Sequence, residues 1–290
     1  MSVAVVTIVH GRSRHLREQQ RGLARSAVGP DHYVVVAMDD PDALPATRTG
    51  PLAGTGTELH LVDLPAGAEL PLAAARNSGA AAALAAGADQ LVFLDVDCIP
   101  SRNALGAYLD SLRAAAEPAL HCGAVRYLDE AHSRTDPPVL EGLPHPARPA
   151  LPPGETAPST AWPLFWSLSF AVDAPTWRML GGFCADYTGY GAEDTDFALA
   201  AHEAGVNLRW VGGADVFHQH HPSSSPPVGH RDAILRNAAI FHRRWGRWPM
   251  EGWLRQFAEL GIATFRDGSW EPVDPVDHGR SRPATGAVPG

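Results

Sequence analysis

Leu91-Val92-Phe93-Leu94-Asp95-Val96-Asp97 is a run of four apolar residues that passes directly into two acids. A short, unbroken apolar run suits a strand covered on both faces, and the change to acid marks where that strand meets solvent. The same pattern recurs upstream. Val3 to Val9 is a β-branched run closed by His10-Gly11-Arg12, and Tyr33 to Met38 ends in Asp39-Asp40-Pro41. A helix with Ser13 as its expected N-cap runs to about Ala27. A polar loop from Asp42 to Gly56 leads to a strand around Leu59 to Val62, and an Ala-rich helix from Leu72 to Leu84 carries Arg76-Asn77 on its first turns. Alternating strand and helix predicts a right-handed, mainly parallel α/β sheet, with ligands bound beyond the carboxyl ends of the strands. Thr7, His10, Arg12, Asp39, Asp95 and Asp97 all map to that edge.

Beyond Ser101 the pattern predicts a helix from Ala104 to Ala116 and a strand from Ala124 to Leu128. Residues 129–163 are rich in Pro, Gly and small polar residues, which within a compact chain marks a lid, a binding loop or disorder. Leu164 to Val172, with Trp166 inside it, reads as a strand, and Ala174 to Leu180 as a short helix with Pro175 in its first turn. A helix opens at Glu193 and stops near Gly205, its apolar positions Phe197, Ala200, Ala201 and Ala204 falling at helical spacing. Asn207 to Val211 reads as strand, and Asp215 to His221 returns to the sheet edge. Arg231 to Trp245 and Met250 to Leu260 are expected helices, and residues 267–290 a disordered tail.

The chain has 290 residues, which fits one large or two modest domains, and with 45% of them apolar it can bury a real core. A formal charge of −9 leaves no basic field for nucleic acid or an anionic membrane. All 23 basic residues are Arg, without a single Lys. Arg14, Arg17, Arg21 and Arg25 form a helical stripe read as a solvated face, and Cys98, Cys122 and Cys184 form no C-x-x-C pair. With no spanning apolar run and no signal-peptide pattern, the expectation is a soluble, cytoplasmic protein with reduced cysteines.

Three constellations carry chemistry. Asp95-x-Asp97 directly follows a strand, so the turn must aim the two carboxylates apart, one toward a metal and one toward a ribose hydroxyl. His218-Gln219-His220-His221 suits a divalent ion, and without thiolates or an H-E-x-x-H helix the donor set of one His, one carboxylate and phosphate oxygens fits Mn²⁺ or Mg²⁺ better than zinc. Arg76 at a helix start can fork onto phosphate or hold a base carbonyl. The stretch from Gly181 to Phe197 adds a Gly-rich loop with Tyr187 and Tyr190, followed by Glu193 and Asp194 on a first turn where exposed N–H groups favour ionised acids. Such a loop suits a ring-shaped substrate, and an acidic helix cap is the simpler alternative.

Taken in order, Val-Thr-Ile-Val-His-Gly-Arg, Asp39-Asp40, Ala-Ala-Arg76-Asn77-Ser-Gly and Leu-Val-Phe-Leu-Asp95-Val-Asp97 resemble the nucleotide-sugar half of GT-A glycosyltransferases, more closely the large inverting family 2 group. Gly181-Gly-Phe through Glu193-Asp194-Thr-Asp196 is similar to the galactosyltransferase-type signature of β-1,4-galactosyltransferases and bacterial chondroitin-type polymerases. The resemblance covers residues 3–222, with Ala192 standing where Gly is more usual.

The resemblance implies roles residue by residue. Asp39 would contact the base, with Thr7, His10, Arg12 and Arg76 around base and diphosphate. Asp95 would bind the ribose or the diphosphate-bound metal, and Asp97 the metal, with His218 as its imidazole ligand ahead of His220 and His221. Asp194 would be the catalytic base, with Glu193 beside it. Trp166 and Tyr190 would stack on sugar faces, although Trp166 reads equally well as core. The implied enzyme is a metal-dependent inverting glycosyltransferase, a hexosyltransferase moving sugar from a nucleoside-diphosphate donor, UDP preferred, to an unknown acceptor hydroxyl. Residues 1–100 would form the donor half and 101–266 the acceptor half of one domain. The alternatives are an inactive sugar-binding module and a sugar-phosphate nucleotidyltransferase.

Overall fold

β1 (Val3–Val9), α1 (Ser13–Ala24), β2 (His32–Met38), α2 (Ala43–Arg48), β3 (Glu58–Leu64), α3 (Leu72–Ala85) and β4 (Gln90–Leu94) alternate down the first third of the chain. A computed structural model describes residues 1–273. β1, β2 and β4 are buried along their whole length, as their continuous apolar runs require. The middle third holds β5 (Cys98–Pro100), α4 (Ala104–Ala114), β6 (Ala119–Tyr127), α5 (Glu130–Arg134), β7 (Leu143–Pro144) and β8 (Thr156–Ser159). β9 (Ser169–Asp173), α6 (Ala174–Leu180), α7 (Glu193–Glu203) and β10 (Asn207–His218) follow, then α8 (Arg231–Trp245), α9 (Glu251–Glu259) and a hairpin of β11 (Ala263–Arg266) and β12 (Ser269–Pro272).

The main sheet runs in the order β3-β2-β1-β4-β9-β6-β10-β5, with β7 added to β6 and β8 to β10. β3, β2, β1 and β4 are parallel, as are β6 and β10, whereas β9 lies antiparallel between β4 and β6, and β5 antiparallel beside β10. Alternate residues of β1 serve opposite faces. Ala4, Val6 and Ile8 pack under α3 and α7, and Val3, Val5 and Val9 under α1 and α4. The α3 side is aromatic: Phe93 stacks on Phe170 at 4.6 Å between ring centres and Phe183 on Phe197 at 4.2 Å. Burying each such side chain is worth about 1.5–3 kcal/mol, so this cluster fixes how α7 sits on the sheet.

Several boundaries differ from expectation. The loop expected at 42–56 contains α2, and the 129–163 segment contains α5, β7 and β8. Arg14 donates to the Ser133 carbonyl (2.9 Å) and Arg21 pairs with Asp136 (2.6 Å), so two arginines of the α1 stripe hold that segment in place. The strand expected at 164–172 is displaced to β9 by a 3₁₀ turn at Trp162–Leu164. Ser13 is the first helical residue and makes no side-chain cap. The tail expected from 267 is overturned for its first residues, which close the β11–β12 hairpin, and residues 274–290 lie outside the described region. β10 runs unbroken where two segments were expected, because a bulge between Val211 and Val216 absorbs Gly212-Gly213. Gly123 of β6 lies against this bulge, where a Cβ would overlap the Ala214 carbonyl oxygen.

Candidate active site at the carboxyl ends of the strands

After Leu94 the backbone turns sharply, with the Asp95 N–H bonded to the Leu168 carbonyl (2.9 Å) and the Cys98 N–H to the Asp95 carbonyl (2.8 Å). Gln19, buried in α1, donates to the carbonyls of Asp95 (2.7 Å) and Cys98 (3.1 Å), and the Gln219 N–H donates to the Asp97 carbonyl (2.8 Å). The turn is thus tied down by its own backbone, by α1 and by the end of β10. It aims Asp95 and Asp97 at different partners.

Asp97 faces the end of β10. Its carboxylate lies 3.6 Å from His218 Nε2 and 3.4 Å from His221 Nε2, and one donor atom from each of these three residues lies within 4.8 Å of the others. A single divalent ion can span that spacing. Burial lowers the His218 pKa, with the neighbouring Asp97 carboxylate opposing it. Burial pushes the Asp97 carboxyl up, but the His221 hydrogen bond and the charges of His218 and Arg12 outweigh it, leaving the carboxyl below its ordinary range. Arg12 forms an ion pair with the same carboxylate. His220 is exposed and its backbone N–H donates to Ser133 Oγ (3.0 Å), and the ring nitrogens that lie beside Asp97 are those of His218 and His221.

Asp95 faces α3. Arg76, only 4% exposed, donates to Asp95 Oδ1 at 2.9 Å and lies 3.6 Å from Glu193 Oε1, bridging the strand edge to the start of α7. Its guanidinium thus lies between two protein carboxylates, with Nη1 left without a hydrogen-bond partner. Next to it, Asn77 exchanges two 2.8 Å hydrogen bonds with the backbone of Phe183. These anchor the glycine loop that leads to α7.

Ala192 precedes that helix in the left-handed region (φ +74°), a conformation that favours Gly and costs another residue about 1–2 kcal/mol. Glu193 is 7% exposed, with its pKa pushed up to about 7 by burial and then by Asp194, against the pull of Arg76. Asp194 is half-buried, accepts the Thr195 N–H (2.9 Å), and is also raised by burial. Asp196 points inward. Its Oδ1 accepts from the Tyr187 hydroxyl (3.0 Å), Arg244 Nε (2.8 Å) and Trp245 Nε1 (2.7 Å), fastening α7 to α8.

The remaining expected residues divide. Thr7 is a correction: its hydroxyl is buried on the α1 side, donating to Gln19 Oε1 (2.8 Å), and serves the framework. His10 is exposed at the edge with Nδ1 on the Met38 carbonyl (2.6 Å), and the exposed Asp39 uses one carboxylate oxygen on the Ala66 N–H (2.9 Å). Trp166 carries the Arg148 guanidinium at 4.2 Å and His145 at its edge, so its ring already has partners. Tyr190 is 40% exposed and stacks on His230 at 4.8 Å. Its pKa is pushed up to about 12 by burial and then by Asp194, Glu193 and Asp95, which puts its ring in the field of the same acids. Gln19, Gln219, His221 and Asp196 were not assigned these partners from sequence. A glutamine on the buried stripe of α1, between Leu16 and Leu23, was the one legible hint.

No family model and no curated protein matches the chain. Solved structures do. Staphylococcus aureus TarS 1–349 superposes with a TM-score of 0.55 at 14% identity, over 90% of this chain and 71% of that one. A mannosyltransferase from Pyrobaculum calidifontis, in complex with GDP-Man and Mn²⁺, gives 0.54 at 18%, over 85% of this chain and 65% of that one. GalNAc-T7 with UDP, GalNAc and Mn²⁺ gives 0.54 at 13%, over 76% and 44%. The chain therefore spans less than half of GalNAc-T7 and about two thirds of the mannosyltransferase. What these likenesses establish is the architecture: a mixed, mostly parallel sheet flanked by helices, the GT-A fold.

Proposed function

We propose that the chain is an inverting glycosyltransferase that moves a sugar from a nucleoside diphosphate to an acceptor hydroxyl. The observation that carries this reading is the convergence on one sheet edge of two groups. Asp97, His218 and His221 form a cation-sized cluster, and Arg76 joins Asp95 to the acids that open α7. Asp97, His218 and His221 would hold Mn²⁺ or Mg²⁺, which when bound supplies positive charge to a diphosphate leaving group. Neighbours of the same fold with UDP or GDP-Man support a nucleotide-sugar donor without deciding the base.

Residues 1–100 would bind the donor, with His10 and Asp39 at the nucleotide and Asp95 at the ribose, and 101–266 would form the acceptor side. Of the two adjacent acids that open α7, the deeper one is the better proton carrier: Glu193, raised to about 7, keeps its proton more readily. That leaves Asp194 to take the proton from the attacking hydroxyl, worth about 10²–10⁴-fold in rate. Tyr190 offers an exposed ring to the acceptor sugar. Among the described residues no helix is long and apolar enough to cross a membrane, and we read the protein as cytoplasmic without a nucleic-acid partner.

The test is a panel of UDP- and GDP-sugars with and without Mn²⁺, read by melting temperature and by nucleoside-diphosphate release. A donor should raise the melting temperature only with the metal. Asp194→Asn should lose at least about 10²-fold of turnover while still binding that donor. If no nucleotide sugar stabilises the protein, or if Asp194→Asn turns over normally, the reading fails.

A further inference from the structure

At the opposite end of the sheet, β2 begins with His32 and β3 begins with Glu58, paired side by side in parallel register. His60 lies two residues further along β3, so His60 and Glu58 project on the same face. His32 Nδ1 lies 3.0 Å from His60 Nε2 and 3.4 Å from Glu58 Oε2, and His60 Nε2 lies 3.6 Å from Glu58 Oε1. His32 is 9% exposed, whereas the Glu58 side chain is 66% exposed and opens the cluster to water. A lone imidazole hydrogen bond would need only the two rings. Here a carboxylate approaches both ring nitrogens as well, one oxygen toward each, and one donor atom from each residue lies within 4.8 Å of the others.

We propose that His32, Glu58 and His60 form a second metal site, selective for Zn²⁺ or a similar borderline divalent ion. A tetrahedral ion with bonds near 2.0–2.1 Å holds its ligand atoms about 3.3 Å apart, and the 3.0 Å between the two ring nitrogens and the 3.4 Å from His32 Nδ1 to Glu58 Oε2 lie close to that value. No diphosphate would add oxygens here, as a nucleotide-sugar donor would at Asp97, and two imidazoles and one carboxylate alone favour Zn²⁺, Co²⁺ or Cu²⁺ over Mg²⁺ and Mn²⁺, which prefer oxygen-rich sets. A water would complete the fourth position on the exposed side. Strands of this length put the cluster roughly 20 Å from Asp97, so the ion has no part in the chemistry there. It clamps β3, the edge strand of the main sheet, to β2 at the amino ends of both strands.

The experiment is Co²⁺ and Zn²⁺ titration of the full chain, read by stoichiometry, by the visible absorption of Co²⁺ and by melting temperature. The wild type should bind two equivalents, one of them giving the intense visible bands of four-coordinate Co²⁺. At metal about 100-fold above Kd the melting temperature should rise by about 5 °C. His60→Asn should lose the intense band and one equivalent, while Asp97→Asn should keep the band and lose the other equivalent. Glu58→Gln, at an exposed position that leaves folding intact, should weaken the banded site about tenfold or more. An unchanged band and affinity in Glu58→Gln and His60→Asn would overturn the site. So would a wild type that binds a single ion, lost in Asp97→Asn.

Discussion

Replacing Asp196 tests whether the acids at the start of α7 divide their labour as the geometry indicates. Three donors converge on one oxygen of a side chain that is 2% exposed. In Asp196→Ala the Arg244 guanidinium, 42% exposed, turns to water at little cost. The Tyr187 hydroxyl cannot, since that residue is buried, and Trp245 Nε1 can only partly. One fully and one partly unsatisfied donor, at about 1–3 kcal/mol each, put the loss at about 2–4 kcal/mol. At about 2 °C per kcal/mol for a chain this long, that lowers the melting temperature by ~4–8 °C. Asp196→Asn keeps an oxygen acceptor and should cost about 1 kcal/mol. Urea unfolding of the three proteins measures this directly. An Asp196→Ala variant within about 0.5 kcal/mol of wild type, or an Asn variant less stable than the Ala variant, would refute the assignment of Asp196 as the α7–α8 fastening.

Glu193 predicts a pH dependence. Its carboxyl is raised from 4.5 to about 7 in the folded protein, so the native state binds the extra proton between those values and stability falls as pH rises through that window. At about 1.4 kcal/mol per unit the loss approaches ~3 kcal/mol, and Glu193→Gln should flatten the slope of urea stability between pH 5 and 7. An unaltered slope would show that another group titrates there. Gly123→Ala should cost ~3 kcal/mol or more, because the new methyl meets a backbone carbonyl that cannot step aside. A urea midpoint equal to wild type would mean the β10 bulge gives way more easily than its packing suggests.

The strands that carry the site were legible because β1, β2 and β4 are covered on both faces and so written as unbroken apolar runs ending in polar turns. Pairing between distant segments leaves no such local trace. Nothing in Ser169–Asp173 announces that it inserts antiparallel between β4 and β6. Thr7 was misplaced because a doubly covered strand gives no parity signal, and its hydroxyl turned out to face Gln19. His218 could be singled out by its place at the strand end, but the approach of His221 depends on how the chain bends after β10. Trp166 read equally as a stacking ring or as core because its partner Arg148 comes from a Pro-rich stretch with no periodicity to place it.

The insertion of β9 also governs when the protein can fold during synthesis. By the time residue 100 has left the ribosome, β1 to β4 exist, but the inner edge of β4 has no neighbour until residues 169–173 emerge. β5, made directly after β4, must wait for residues 216–218 before it has any strand to join. The amino-terminal hundred residues are therefore committed to a long period with an open apolar edge, the state in which nascent chains most need a chaperone.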